Sequence, residues 1–391
     1  MRSSRFCAQC SLRRGVAYNR RIALVDSTNF TTLFEGTDSL KNLGQNLATM
    51  KKFNGLGDRV PFKHRKPPID PVRWQPPPVD PLPDLPSADI TVVAVPGEGP
   101  EDVVVDADEQ IWTGLIDGRI VAISPDGSGS SVVADTGGRP LGMHVARDGR
   151  VLICDSQRGL MALDPDSGKL ETLVESVDGR PLRFCSNVTE TSDGTIYFTE
   201  STSAFHYQHF RAAIFEARGR GSLFRLDLDG KVTTLVDGLY FANGVTATAD
   251  ESALVFAETQ GRRLSKYWLT GPQAATVTPL AVNLPGMPDN ISTGSDGRIW
   301  TAMVTPANRA ADWLAPRAPV IRKLLWRLPE RLQPKIAAEV WAVAFDPDSG
   351  EVVGGLRTKH PDFGMVTGVV ESAGRLWMAT IGFPAVAYTE L

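Results

Sequence analysis

The chain has 391 residues, 41 Lys plus Arg against 45 Asp plus Glu, and a formal net charge of −4, long enough to bury a large core. It contains no block of Lys and Arg interleaved with aromatics, so nucleic acid is not an expected partner, and no run of about 18 apolar residues that would make a transmembrane segment. Four cysteines imply no disulfide framework.

Residues 1–87 read as an irregular N-terminal extension and Pro-rich linker. Arg2, Arg5, Arg13, Arg14, Arg20 and Arg21 precede the first acid, Asp26. That leaves organellar targeting or a mis-set start open beside a default expectation of a cytoplasmic protein. Residues 38–53 have a short helical pattern, and Cys7 and Cys10 are spaced like half a zinc knuckle that no second pair completes. Pro67-Pro-Ile-Asp-Pro71 and the Pro-rich run from Pro76 to Pro86 predict a stiff, extended segment that cannot enter a central strand.

From residue 88 to 391 the pattern changes. Turns at Asp108-Glu109, Asp148-Gly149, Asp193-Gly194, Asp250-Glu251, Asp296-Gly297 and Ala373-Gly374 are each followed by a short apolar strand, such as Gln110-Ile-Trp-Thr113 or Arg298-Ile-Trp-Thr301. Six such units in series predict an all-β chain folded as a six-bladed β-propeller. Asp89-Ile-Thr-Val-Val-Ala-Val95 alternates without a partner in its own unit and is expected to add the outer strand of the last blade, closing the ring. Cys154 and Cys185 fall in strands and read as core residues.

Six or seven positions before the turns, where an innermost strand starts beside the central channel, stand Glu101, Asn187, Asn243 and Asp289, with Asn290 beside the last. In blade two the same spot falls on Leu141 or Gly142, and His144 further along reads as a structural residue. Equivalent positions of a ring converge on its axis, so two carboxylates there call for a counter-charge. Carboxylate and amide oxygens without Cys or His favour calcium, or magnesium or manganese, over zinc. Two long loops are expected over that face. Residues 201–221 carry His206 and His209, candidates for a general base or substrate contact; residues 305–339 carry a basic, amphipathic stretch with Trp and Leu, a composition that also suits a membrane surface.

Gly99-Pro-Glu-Asp102, Arg183-Phe-Cys-Ser-Asn187, Phe241-Ala-Asn-Gly-Val245 and Met287-Pro-Asp-Asn-Ile291 resemble the strictosidine-synthase-like family, grouped with the gluconolactonase (senescence-marker-protein-like) and paraoxonase calcium-dependent propellers. The resemblance covers about residues 89–391. It implies metal roles for Glu101, Asn187, Asn243 and Asp289, with Asn290 a weaker addition, and makes Asp289 the base that activates water. Two departures limit it: Leu141 stands where paraoxonases carry a catalytic His, and Thr367 stands where the synthase has its acid/base glutamate. The expected activity is therefore calcium-dependent hydrolysis of a small-molecule ester or lactone, of lactonase or arylesterase type, without synthase chemistry. The alternative is a non-catalytic propeller that binds a small molecule or protein and holds a structural calcium. The oligomeric state stays open.

Overall fold

The computed structural model describes residues 66–329, 332–333 and 336–391. The Arg-rich start, Cys7, Cys10 and the helical pattern at residues 38–53 lie outside them. Alternating apolar strands pair into six four-stranded antiparallel sheets among the described residues, arranged as a β-propeller. Their innermost strands are Val103–Val105, Pro140–Val145, Cys185–Glu190, Ala242–Ala247, Gly286–Thr293 and Val366–Ser372. Each sheet buries both faces against its neighbours, and the core is accordingly divided into clusters between adjacent blades. Trp112, Ile120, Met143 and Ile153 fill the gap between blades one and two; Trp300, Val340, Val369 and Met378 fill that between five and six. Cys154 and Cys185 are free and fully buried between blades two and three, their Sγ atoms 3.1 Å apart.

The hairpins that mark the repeats turn through left-handed residues: Glu109, Gly149, Gly194, Glu251 and Gly297 all have positive φ. Each donates its N–H to the carbonyl three residues back, as Gly194 does to Thr191 at 2.8 Å. The ring closes as the alternating run predicts. Thr91–Ala94 pairs antiparallel with Ala385–Glu390, with Val93 opposite Val386, so the last blade takes its outermost strand from the start of the domain and no seam is left unpaired.

The Pro-rich segment lies along the propeller as a strap. Proline removes donors but leaves every carbonyl, and buried guanidiniums take them: Arg322 bonds Val72 O and Arg262 bonds Pro77 O. Some of the remaining N–H groups are also used, Val72 N on Glu216 O at 3.0 Å, Trp74 N on Ala315 O at 3.2 Å and Asp80 N on Asn283 O at 2.9 Å. The strap touches three short helices in the two long loops: α1 (Phe210–Glu216), α2 (Arg309–Leu314) and α3 (Pro319–Arg327). Asn308 caps α2 by accepting from Ala310 N and Ala311 N, and Pro319 occupies the first turn of α3.

Candidate metal centre

In the innermost strands the ladder skips residues at the same place in blade after blade. Pairing breaks between Pro140 and Met143, Cys185 and Val188, Ala242 and Val245, and Pro288 and Ile291, and shifts between Val366 and Gly368. Such bulges turn side chains out of the sheet. The released pairs are Leu141-Gly142, Ser186-Asn187, Asn243-Gly244 and Asp289-Asn290, and Glu101-Asp102 and Thr367-Gly368 hold the same position in blades one and six.

The first members of these pairs are Glu101, Leu141, Ser186, Asn243, Asp289 and Thr367. Asn187 is a second member: the register sets Ser186, rather than Asn187, in line with Glu101, Asn243 and Asp289. Among second members, Asp102, Asn187 and Asn290 alternate with Gly142, Gly244 and Gly368. The alternation is steric. A Cβ on Gly142 would lie 2.4 Å from Asn187 Nδ2, and one on Gly368 2.4 Å from Asp102 Oδ1. The three side chains tie blades together: Met143 N donates to Asp102 Oδ2 at 2.9 Å, and Val245 N donates to Asn187 Oδ1 at 3.1 Å. Asn187 Nδ2 is 3.4 Å from Asp102 Oδ2.

Glu101, Asn243 and Asp289 meet at the head of the channel. Asn243 donates from Nδ2 to Asp289 Oδ1 and, at 3.1 Å, to Thr259 Oγ1, and its Oδ1 accepts from Ser186 Oγ at 3.0 Å. Asn290 Nδ2 donates to Glu101 Oε2 at 3.3 Å, while its own Oδ1 is buried without a partner. Thr367 spends its hydroxyl on Glu101 O at 2.6 Å. Burial foremost, then the charges of Asp289 and Asp102, push the Glu101 carboxyl well above the usual carboxylate range. Burial and Asp102 do the same to Asp289, and burial raises Asp102 to about 7. The cation beside them is Arg139, which draws Glu101 back down. Its Nη1 bonds Gly99 O at 2.9 Å, its Nε and Nη2 are buried without partners, and its guanidinium lies 4.6 Å from the Tyr207 ring centroid. Tyr207 is itself raised by burial and by Glu101 and Asp289.

This donor set fits a hard divalent cation. Three buried carboxylates, Glu101, Asp102 and Asp289, lie close together with Arg139 as the cation that draws on Glu101, and the Asn290 oxygen lacks a donor, a shortage of positive charge that an oxygen-seeking ion would meet. Among the described residues no three His, Cys, Asp or Glu side chains form a metal cluster. An ion here would rest on Glu101, Asp289 and neutral oxygens of Asn243 and Asn290. Asn187 is the least suited of the four residues named from sequence, since the register sets it one residue out of line with Glu101, Asn243 and Asp289.

Above this layer the lid is apolar. Leu141, Phe184, Phe205, Phe241 and Trp326 form one buried cluster with Tyr207 packed on it, and Phe184 meets Phe241 edge-on at 5.5 Å. His206 sits on the rim with Nδ1 3.0 Å from Ser156 O and Nε2 3.1 Å from Arg183 Nη1. A carbonyl only accepts and a guanidinium only donates, so Nδ1 carries the proton and the Nε2 lone pair is occupied. His209 precedes α1 without capping it. Below the layer a cavity of about 370 Å³ runs from Asp102 and Asn187 past His144 to the hairpin turns at Thr248 and Glu251. Burial lowers His144 to about 4.

The SMP-30/gluconolactonase/LRE-like region matches residues 96–313, more than half of the chain. The chain belongs to this family. Among curated relatives, it is 37% identical over 232 residues to Protein STRICTOSIDINE SYNTHASE-LIKE 6 of Arabidopsis thaliana, a match covering 58% of this chain and 61% of that protein. It is 31% identical over 321 residues to the adipocyte plasma membrane-associated protein of Salmo salar, covering 75% and 76%. The match thus spans about three fifths of the plant relative's length. Two solved structures share the fold. A gluconolactonase from Xanthomonas campestris aligns with a TM-score of 0.57 at 19% identity, over 84% of this chain and 99% of its own. Regucalcin, a calcium-binding protein from Agrobacterium tumefaciens, aligns at 0.56 and 15%, over 79% and 95%. The family's fold agrees with the propeller and with the four inner-strand segments that resemble it.

Proposed function

We propose that the chain is a calcium-dependent hydrolase of small carboxylic esters or lactones. The observation that carries this reading is the pair of buried carboxylates, Glu101 and Asp289, set with Asn243 and the unpartnered Asn290 oxygen at the head of the channel. The naming of one structural neighbour as a gluconolactonase and of another as calcium-binding supports it. A bound calcium would supply Lewis acidity at the substrate carbonyl oxygen. Glu101, Asp289, Asn243 and Asn290 are the residues that would hold it. Asp289 is the base of choice for water, because it is the carboxylate that can touch both the ion and the water, and the Asn243 amide fixes its orientation. The unpartnered Nε and Nη2 of Arg139 are donors for a substrate oxygen. The roof of Leu141, Phe184 and Phe241 keeps bulk water out. His206 is the poorer base, because Arg183 already occupies its lone pair. Thr367, bonded to a backbone carbonyl, leaves no carboxylate for amine–aldehyde condensation, so synthase chemistry is not part of this reading.

Hydrolysis of aryl acetates and simple lactones, abolished by chelation and restored by calcium, is the expected result. Absence of turnover across that panel at saturating calcium sinks the enzyme reading. A second reading, a binding platform with a structural ion, is favoured by one observation: Asp102 and Asn187 spend their oxygens tying neighbouring blades together. It predicts that chelation lowers the melting temperature in a protein that turns nothing over.

A further inference from the structure

Helix α3 is docked inside out. Arg322 and Trp326, four residues apart and so on one face, point into the protein with 5% and 4% exposure. Arg322 bonds Phe215 O at 3.0 Å, Ala315 O at 3.3 Å and Val72 O. Trp326 donates to Pro67 O at 2.8 Å and packs 5.8 Å from Phe215. The opposite face carries Val320, Ile321 and Leu324, exposed at 57%, 40% and 57%, and runs on into Leu328. Trp313 and Leu332, each 61% exposed, extend it on either side. Of the thirteen exposed large apolar side chains among the described residues, these six fall within residues 313–332, a patch rather than the scatter normal for a surface.

Charge indicates what this patch meets. Between residues 309 and 329 the bases are Arg309, Arg317, Arg322, Lys323 and Arg327, and the acid is Asp312, which is held 2.6 Å from the buried Arg262. Arg309, Arg317 and Arg327 are exposed at the rim; Arg317 covers the Trp313 ring at 3.7 Å, and Lys323 lies 3.4 Å from Asp70. An apolar strip of Val, Ile and Leu with an exposed Trp and a cationic border matches the boundary between acyl chains and anionic headgroups. We propose that α3 and its flanks seat the lid face on an anionic phospholipid surface, with Val320, Ile321, Leu324 and Leu328 immersed and Arg317 and Arg327 on lipid phosphates. Trp326 also belongs to the roof cluster of Leu141 and Phe241, so the bilayer would lie against the lid that covers the channel head. The inference does not depend on the hydrolase reading.

The test is vesicle flotation of the full chain with phosphatidylcholine alone and with phosphatidylcholine containing phosphatidylserine. Co-flotation with the mixed vesicles, weakened by salt, is expected. Ile321→Glu/Leu324→Glu should weaken it at least about tenfold, and Trp313→Phe should remove a lipid-induced blue shift of the emission. All of these side chains are exposed, so the variants should melt as the parent does; Leu324→Gln alone serves should the double variant not. Because the N-terminal arginines would also attract anionic lipid, the comparison between parent and variant is decisive. Equal flotation of both overturns the proposal, as does failure of the parent to float with either vesicle. A parent that dimerises without binding lipid, and that the same substitutions make monomeric, assigns the face to a second copy instead.

Discussion

Replacing Asp289 by Asn separates the two states of the channel head by opposite signs. The substitution keeps size and leaves an acceptor for the Asn243 amide, but removes one of two carboxylates that would hold the ion. It also removes a buried negative charge that Asp102 opposes. At free calcium a hundredfold above the dissociation constant, binding would stabilise the parent by about 2.7 kcal/mol, roughly 5 °C for a domain of this size. With one carboxylate left, the shift should fall to about a degree. In chelator the order reverses. A carboxyl whose folded pKa is raised binds its proton more tightly when folded, so stability is lost as pH climbs through the window between the ordinary carboxylate pKa and the raised one. For Asp102 that window runs from 3.8 to about 7. The chelated parent should therefore melt lower at pH 7 than at pH 5, and Asp289→Asn should flatten the loss. Thermal melts with chelator and with calcium across that range measure both effects. If the chelated variant melts below the chelated parent, and both respond equally to calcium, the account of an under-compensated carboxylate pair is refuted.

Two further substitutions test the channel. His144, lowered to about 4 by burial, stays neutral when folded while its unfolded form protonates near 6.5, so its contribution is present above that pH and lost as pH falls towards 4, by about 3 kcal/mol at most. His144→Asn should remove that slope from the urea midpoint against pH; unchanged slopes would show that His144 is hydrated. Gly368→Ala would set a Cβ 2.4 Å from Asp102 Oδ1 and 2.8 Å from its Cα, an overpacking expected to cost about 1–3 kcal/mol in urea unfolding. At Gly374, where no neighbouring atom lies within 4 Å and φ is +76°, Ala should cost about 1 kcal/mol of backbone strain alone. A larger loss at Gly374 than at Gly368 would contradict the steric origin of the Asp–Gly alternation.

Local signals were sufficient for much of this. Turn residues with positive φ, period-2 strands and an orphan alternating run each act through a few adjacent residues, and they specified six hairpins, the ring and its closure. The oxygen donors at Glu101, Asn243 and Asp289 were legible because they recur at one offset from those turns. The offset failed by one residue at Asn187. A bulge inserts residues without any periodic mark, and in a strand a slip of one exchanges faces. The alternation of Asp102, Asn187 and Asn290 with three glycines was present in the sequence, but it reads as a pattern only after the bulges align the blades.

Arg139 and Tyr207 carried no such mark, since their relevance lies in charges and rings brought from other blades. The long lid segment read as amphipathic, and part of it forms the helix α3; which face turns inward was another matter. Periodicity ranks faces by polarity and predicts that the apolar one is buried. Here the proline strap supplies carbonyls that Arg322 and Trp326 satisfy, and the Val–Ile–Leu face is left outside. The amino-acid sequence by itself thus determined the repeat, its turns and which oxygen-bearing side chains begin the inner strands of blades one, four and five, all of which rest on short-range rules. The closed ring decided which oxygens meet, and the proline strap which side of α3 faces solvent, because both depend on distances between segments far apart in the chain.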